Sequence, residues 1–111
     1  MNGVRLGRLA DIPDGGSAGY TIDTAEGRRR LLAVRRGDRV FVYANECPHI
    51  GAPLDFEPGR FLNLERTHIL CTNHGALFRI EDGACVAGPC AGKPLRRIAA
   101  IVRGGAVMLC A

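Results

Sequence analysis

Two short stretches, Cys47-Pro48-His49 and Cys71-Thr72-Asn73-His74, constrain this chain more than anything else in it. Each supplies one thiolate and one imidazole, the first as Cys-x-His and the second as Cys-x-x-His. Glycine follows both, Gly51 two residues after His49 and Gly75 directly after His74. A fold that brings the stretches together contains a four-ligand metal site, and two occupants suit that donor set. One is a tetrahedral zinc. The other is a 2Fe–2S centre in which two histidines replace two cysteines on one iron. Whichever it is, the architecture must let two loops meet at their tips although 21 residues (50–70) separate His49 from Cys71.

The rest of the sequence reads as a frame of short strands. Apolar and basic residues alternate over Val4–Leu9, and Asp11-Ile12-Pro13-Asp14-Gly15-Gly16 then breaks the chain with strong turn chemistry. Strands are expected over Ala18–Asp23, Arg29–Val34 and Arg39–Ala44, the last two joined as a hairpin through Arg36-Gly37-Asp38 and leading straight into Cys47. His68-Ile69-Leu70 enters Cys71, and Leu77–Ile80 leaves the second stretch. Gly88-Pro89 and Gly92-Lys93-Pro94 mark a long irregular segment before two final strands, Leu95–Val102 and Ala106–Leu109. No helical period extends over 12 residues. With 15 Gly, 6 Pro and only 5% aromatic residues, the pattern predicts an all-β antiparallel sandwich or barrel. A length of 111 residues fits one domain spanning 1–111.

Charge excludes some partners. Of the 15 basic residues 14 are arginine, and Lys93 is the single lysine. Residues 1–45 carry eight basic and five acidic groups, residues 46–80 three and four, and residues 81–111 four and two. The motif region is therefore not the basic part. Nucleic-acid binding would need basic groups gathered on one face with aromatic platforms. Arg28-Arg29-Arg30 and Arg35-Arg36 are the only clusters, and a solvated strand edge accounts for them. No run of about 18 apolar residues is present to cross a membrane. The first five residues show neither a secretory core nor a twin-arginine pair. A cytoplasmic location is expected, where cysteines mostly stay reduced or bind metal.

The flanks of the two motifs carry a resemblance. Cys47-Pro48-His49-Ile50-Gly51-Ala52-Pro53-Leu54, followed by Cys71-Thr72-Asn73-His74-Gly75-Ala76-Leu77-Phe78, resembles the Rieske 2Fe–2S family, and within it the small soluble ferredoxins of ring-hydroxylating oxygenase systems. The resemblance extends to Asp11-Ile12-Pro13-Asp14-Gly15, to the hairpin before Cys47 and to the Gly-Pro stretch after the second motif. It implies a Rieske-type sandwich with a small cluster-binding subdomain of two loops at about residues 46–92. It also implies one Rieske 2Fe–2S cluster, with Cys47 and Cys71 on the inner iron and His49 and His74 on the outer one. The spacer is a few residues longer than the family leads one to expect, and Phe56–Leu64 is the place for a surface excursion that leaves the ligands undisturbed. A zinc knuckle would bring its ligands closer in sequence and has no use for the Gly-Ala-Pro-Leu flank.

Departures from the family pattern bear on potential. High-potential respiratory members resemble one another in a serine after His-Gly and a tyrosine two residues on, whose hydroxyls donate toward sulfur. Ala76 and Phe78 stand at those positions and donate nothing. Those members also carry a cysteine on each cluster loop, where this chain has Ala52 and Asn73. Both differences imply the low end of the Rieske range, about −150 mV.

Cys85 and Cys90 bracket Val86-Ala87-Gly88-Pro89. A disulfide is conceivable, but small packing groups near the proline-containing loop are the favoured reading, and Cys110 is read the same way. His68, alternating with Ile69, is expected to be a surface or hydrogen-bonded histidine rather than a third ligand. The function implied is electron transfer, with single electrons passing from a flavin-dependent reductase to an oxygenase or similar acceptor and no catalysis by this chain alone. The alternative is a small cluster-bearing subunit of a reductase complex, of the nitrite reductase small-subunit type, and a zinc-binding interaction module is the third. A sequence pI of about 9.1 suggests a partner with an acidic face, or docking through apolar loops around Ile50 and Leu54.

Overall fold

The computed structural model describes residues 3–48, 51–55, 57–71, 75–89 and 93–110. Turn chemistry and strand propensity cut these residues into ten strands and one short 3-10 turn, Leu9–Asp11. All pairings are antiparallel. A terminal sheet holds β1 (Arg5–Arg8), β10 (Ala106–Leu109) and β9 (Ala100–Arg103), in that order. A central sheet runs β2 (Ser17–Thr24), β3 (Gly27–Arg36), β4 (Arg39–Ala44) and β8 (Arg97–Ile98). The motif sheet runs β5 (His68–Cys71), β6 (Ala76–Arg79) and β7 (Cys85–Ala87). Arg36 pairs with Arg39, so Gly37-Asp38 is a two-residue hairpin loop. Gly37 takes a φ of 62°, the left-handed conformation such a loop demands.

The central sheet is apolar on both faces because it separates two cores. Successive residues of a strand point to opposite faces. On β3, Leu32 and Val34 join one core, while Leu31 and Ala33 join the other. On β4, Phe41 and Tyr43 go to the first core and Val42 to the second. The first core also contains Cys47, Leu54, Phe61, Ile69, Cys71, Ala76 and Phe78, and so unites the central sheet with the motif sheet. The second contains Leu9, Ile12, Val107 and Leu109 and unites it with the terminal sheet.

Two elements differ from the sequence reading. The strand expected across Leu95–Val102 is two strands, because the chain changes sheet at Ala99. Ile98 pairs with Val42 in the central sheet, and Ala100 pairs with Leu109 in the terminal one. No glycine or proline marks that crossing. β7 lies in a segment that reads as irregular, squeezed between the turn glycines Gly83 and Gly88. Among the described residues, no helix is long and apolar enough to cross a membrane.

Candidate metal centre

The first motif loop begins where β4 ends. The backbone N–H of Asn45 donates to the carbonyl of Arg30 at 2.9 Å, extending the sheet contact by one residue. The Asn45 side chain, buried at 5% exposure, then reaches across the loop. Its Oδ1 accepts the N–H of Leu54 at 2.8 Å, and its Nδ2 donates to Asp55 Oδ1 at 2.9 Å. The other Asp55 oxygen accepts the N–H of Gly59 at 3.1 Å. Inside this brace the Cys47 N–H donates to the Ala52 carbonyl at 2.7 Å, and the Cys47 carbonyl accepts the Gly51 N–H at 2.7 Å.

The second loop joins β5 to β6, with Cys71 paired to Ala76. The Cys71 carbonyl accepts the N–H of Gly75 at 2.8 Å. Both loops therefore use one device: the cysteine carbonyl binds the N–H of a glycine four residues later. Those glycines, Gly51 and Gly75, have φ of 76° and 72°, a region that costs an ordinary residue about 1–2 kcal/mol. The histidines differ in offset while the glycines share one, which explains how Cys-x-His and Cys-x-x-His fit similar turns. His49 and His74 themselves lie outside the described residues, as do Ile50 and Asn73.

Cys47 and Cys71 are both buried, at 1% and 0% exposure. They belong to the same apolar core. Two buried thiols delivered to one core by matching loops fit the two-thiolate half of a Rieske-type donor set. Ala76 and Phe78, both fully buried in that core, offer no side-chain donor. Gly88, at φ 90°, lies so close to the second loop that a Cβ there would stand 2.7 Å from the Ala76 Cα. Gly83 is equally confined, since a Cβ would stand 2.8 Å from Tyr43 Cε1. The Tyr43 hydroxyl donates to the Ile80 carbonyl, and burial pushes its pKa up to about 12.

Two sequence expectations are revised. Cys85 is disulfide-bonded, so the packing reading is corrected, although the residue does lean on the first core. Cys90 lies outside the described residues. The excursion over Phe56–Leu64 is not only surface. Phe61 is fully buried in the first core, the Leu70 N–H donates to its carbonyl at 2.7 Å, and Leu62 bridges to Ile69. Leu64, by contrast, is 96% exposed. His68 behaves as expected, its Nδ1 lying 2.9 Å from the Thr67 hydroxyl. Sequence reasoning missed Asn45, Asp55 and Gly88. The available signal was an asparagine placed directly after a run of buried apolar residues and two positions before a ligand.

The Rieske [2Fe-2S] domain model matches residues 3–102. Among solved structures, the ferredoxin of carbazole 1,9a-dioxygenase from Nocardioides aromaticivorans IC177 is 28% identical, with a TM-score of 0.75 over 98% of this chain and 97% of that one. The Sphingomonas yanoikuyae B1 ferredoxin is also 28% identical, with a TM-score of 0.75 over 99% of each chain. The terminal oxygenase of carbazole 1,9a-dioxygenase from Novosphingobium sp. KA1 shares the fold, with a TM-score of 0.79 at 19% identity over 97% of this chain and 29% of that one. No curated protein matches. The choice between zinc and iron–sulfur is thereby made, and the chain belongs to the Rieske [2Fe-2S] domain family and carries one cluster of that kind.

Proposed function

We propose that Cys47, His49, Cys71 and His74 hold the cluster, and that the protein carries single electrons from a flavin-dependent reductase to an oxygenase or similar acceptor. The observation that carries this reading is the pair of buried cysteines, Cys47 and Cys71, in one core. Each heads a loop closed by the same cysteine-to-glycine hydrogen bond, and both face one core. A bound 2Fe–2S cluster supplies reversible one-electron chemistry, at a potential raised by imidazole ligation. The two loops give the thiols a dry seat, and the Asn45–Asp55 brace fixes the span of the first loop. The apolar walls, Ala76 and Phe78, add no hydrogen bonds to sulfur, which holds the potential low. The oxygenase end of the relay is supported by the Nocardioides relative, a ferredoxin of a dioxygenase.

Oxygenase chemistry in these 111 residues is disfavoured by counting. A mononuclear iron would take two histidines and a carboxylate. The chain has three histidines, and only His68 is left over, hydrogen-bonded on β5. The unit 1–111 is accordingly read as one carrier domain, with residues 46–92 as its cluster-binding part.

Purified protein should be brown, with two iron and two sulfide per chain, and Cys47→Ser or Cys71→Ser should lose both. A reduced-state electron paramagnetic resonance spectrum matching an all-cysteine ferredoxin would remove histidine ligation. Voltammetry should place the midpoint near about −150 mV, and a value above roughly +100 mV would overturn the low-potential reading.

A further inference from the structure

We infer that Cys85 and Cys90 form a reducible disulfide that fastens the end of β7 against β6, and that dithiol–disulfide exchange there sets how firmly the cluster is held. This rests on the cluster-ligand reading above. Cys85 is disulfide-bonded, and the other cysteines of the sequence are Cys47, Cys71, Cys90 and Cys110. Cys47 and Cys110 enter no disulfide. Cys71 is out of reach by topology. It stands on β5 opposite Ala76, whereas Cys85 stands on β7 opposite Phe78, with β6 between them. Two strand spacings come to about 10 Å, and a disulfide spans less than about 7 Å between Cα atoms. Cys90 is left, across Val86-Ala87-Gly88-Pro89 from Cys85; it lies outside the described residues and is assigned from the sequence. This pair is not the loop-to-loop pair of respiratory members, whose positions hold Ala52 and Asn73.

The fastened segment bears on the second loop. β7 has only three residues, and its register on β6 shifts between Leu77 and Phe78. Its near end is closed by backbone bonds. The Arg79 N–H donates to the Ala84 carbonyl and the Gly83 N–H to the Arg79 carbonyl, each at 2.9 Å. Past Ala87 the chain turns at Gly88, which packs on Ala76 so closely that a Cβ would stand 2.7 Å from the Ala76 Cα. Ala76 pairs with Cys71 and follows Gly75, whose N–H binds the Cys71 carbonyl. A covalent link from Cys85 past Gly88 holds this contact closed, and its loss loosens the backbone beside Cys71. Cys85 is only partly buried, and Val86, Ala87, Gly88 and Pro89 are exposed, so a reductant can reach the bond. In exchange, one thiolate of a dithiol attacks a sulfur of the pair, and the second thiol then releases the mixed disulfide. The protein disulfide gains two electrons and two protons to become two thiols, and the dithiol is oxidised to its own disulfide.

The test uses the cluster-loaded protein equilibrated with reduced or oxidised dithiothreitol, and C85S/C90S treated alike. Iodoacetamide labelling with peptide mass mapping should find Cys85 and Cys90 joined in the oxidised sample and both alkylated in the reduced one. Bleaching of the visible absorbance by an iron chelator should be about tenfold faster after reduction, and reoxidation should restore the slow rate. C85S/C90S should bleach at the fast rate in either buffer, which separates the clasp from any attack of the thiol on iron. Equal bleaching of the parent in the two buffers, slow bleaching of C85S/C90S, or Cys85 joined to another cysteine would overturn the proposal. Hydrogen exchange supplies a readout that needs no cluster, since reduction should raise exchange in peptides covering residues 76–87 and leave β2 and β3 unchanged. An unchanged exchange pattern would also overturn the proposal. Protein that loads no cluster yet shows the exchange response would instead count against the ligand reading while leaving the clasp in place.

Discussion

At the scale of single residues, the least legible part of the site is the most consequential. Asn45 makes three hydrogen bonds that tie Arg30, Leu54 and Asp55 together around Cys47. Its sequence signal is no more than its place directly after an apolar run and two positions before Cys47. Asn45→Asp would set two carboxylates against each other where one amide N–H now donates, at a cost of about 2–3 kcal/mol. Exchanging both residues, Asn45→Asp with Asp55→Asn, keeps an amide facing a carboxylate and leaves acceptors for both Leu54 and Gly59. Urea unfolding should show the exchange recovering more than half of the single variant's loss, and no recovery would mean that the brace does not act as a unit. Tyr43 gives a pH signature. Its ordinary pKa of 10.0 is raised by burial to about 12, so the folded state holds the phenol proton more tightly than the unfolded chain. The resulting stabilisation is fully present below pH 10 and lost as pH rises through about 12, in total about 2 kcal/mol. The parent protein should therefore exceed Tyr43→Phe in stability at pH 8 and lose that advantage by pH 12. A gap that stays constant across the series would refute the assignment.

At the scale of elements, the strands that carry their own turn signals were readable, and those defined by a distant partner were not. Gly37-Asp38 and Glu81-Asp82-Gly83 announce their turns locally. The break at Ala99 has no local cause, since it arises because β4 and β10 compete for one continuous apolar segment. The same distinction governs the glycines. Gly51 and Gly75 sit beside motif residues, and their offset of four from each cysteine can be seen in the sequence. Gly88 matters because of Ala76, a contact between the end of β7 and the start of β6 that only the fold reveals. Substituting Gly75 by alanine meets open space and incurs only the cost of a left-handed backbone, about 1–2 kcal/mol. Gly88→Ala adds to that strain a collision with backbone atoms of Ala76. Thermal unfolding and cluster-bleaching rates should rank Gly88→Ala as the more damaging change, and the reverse order would show that β7 does not support the second loop.

At the scale of the whole molecule, sequence patterning conveyed the all-β class and the two cysteine-headed loops, because strand alternation and ligand spacing are local quantities. It did not convey that the central sheet is buried on both faces. Val40, Val42, Phe41 and Tyr43 read as a strand with two apolar sides, and only the presence of sheets on both sides explains that. This arrangement separates stability from the site, because adjacent residues of β3 serve different cores. Leu31 packs with Ile12, Val107 and Leu109, whereas Leu32 packs in the core that holds Cys47 and Cys71. Both leucines are almost wholly buried, at 2% and 0% exposure, so either change to alanine should cost about 2–5 kcal/mol. Their effects on the cluster should differ. A cavity at Leu32 opens in the core that holds the thiols and should hasten bleaching and broaden the reduced-state paramagnetic spectrum. A cavity at Leu31 lies across the sheet and should lower the unfolding midpoint with the spectrum unchanged, provided both are measured well below that midpoint. Identical spectra in the two variants would mean that the cores are not independent, and that the site depends on the frame as a single packed body.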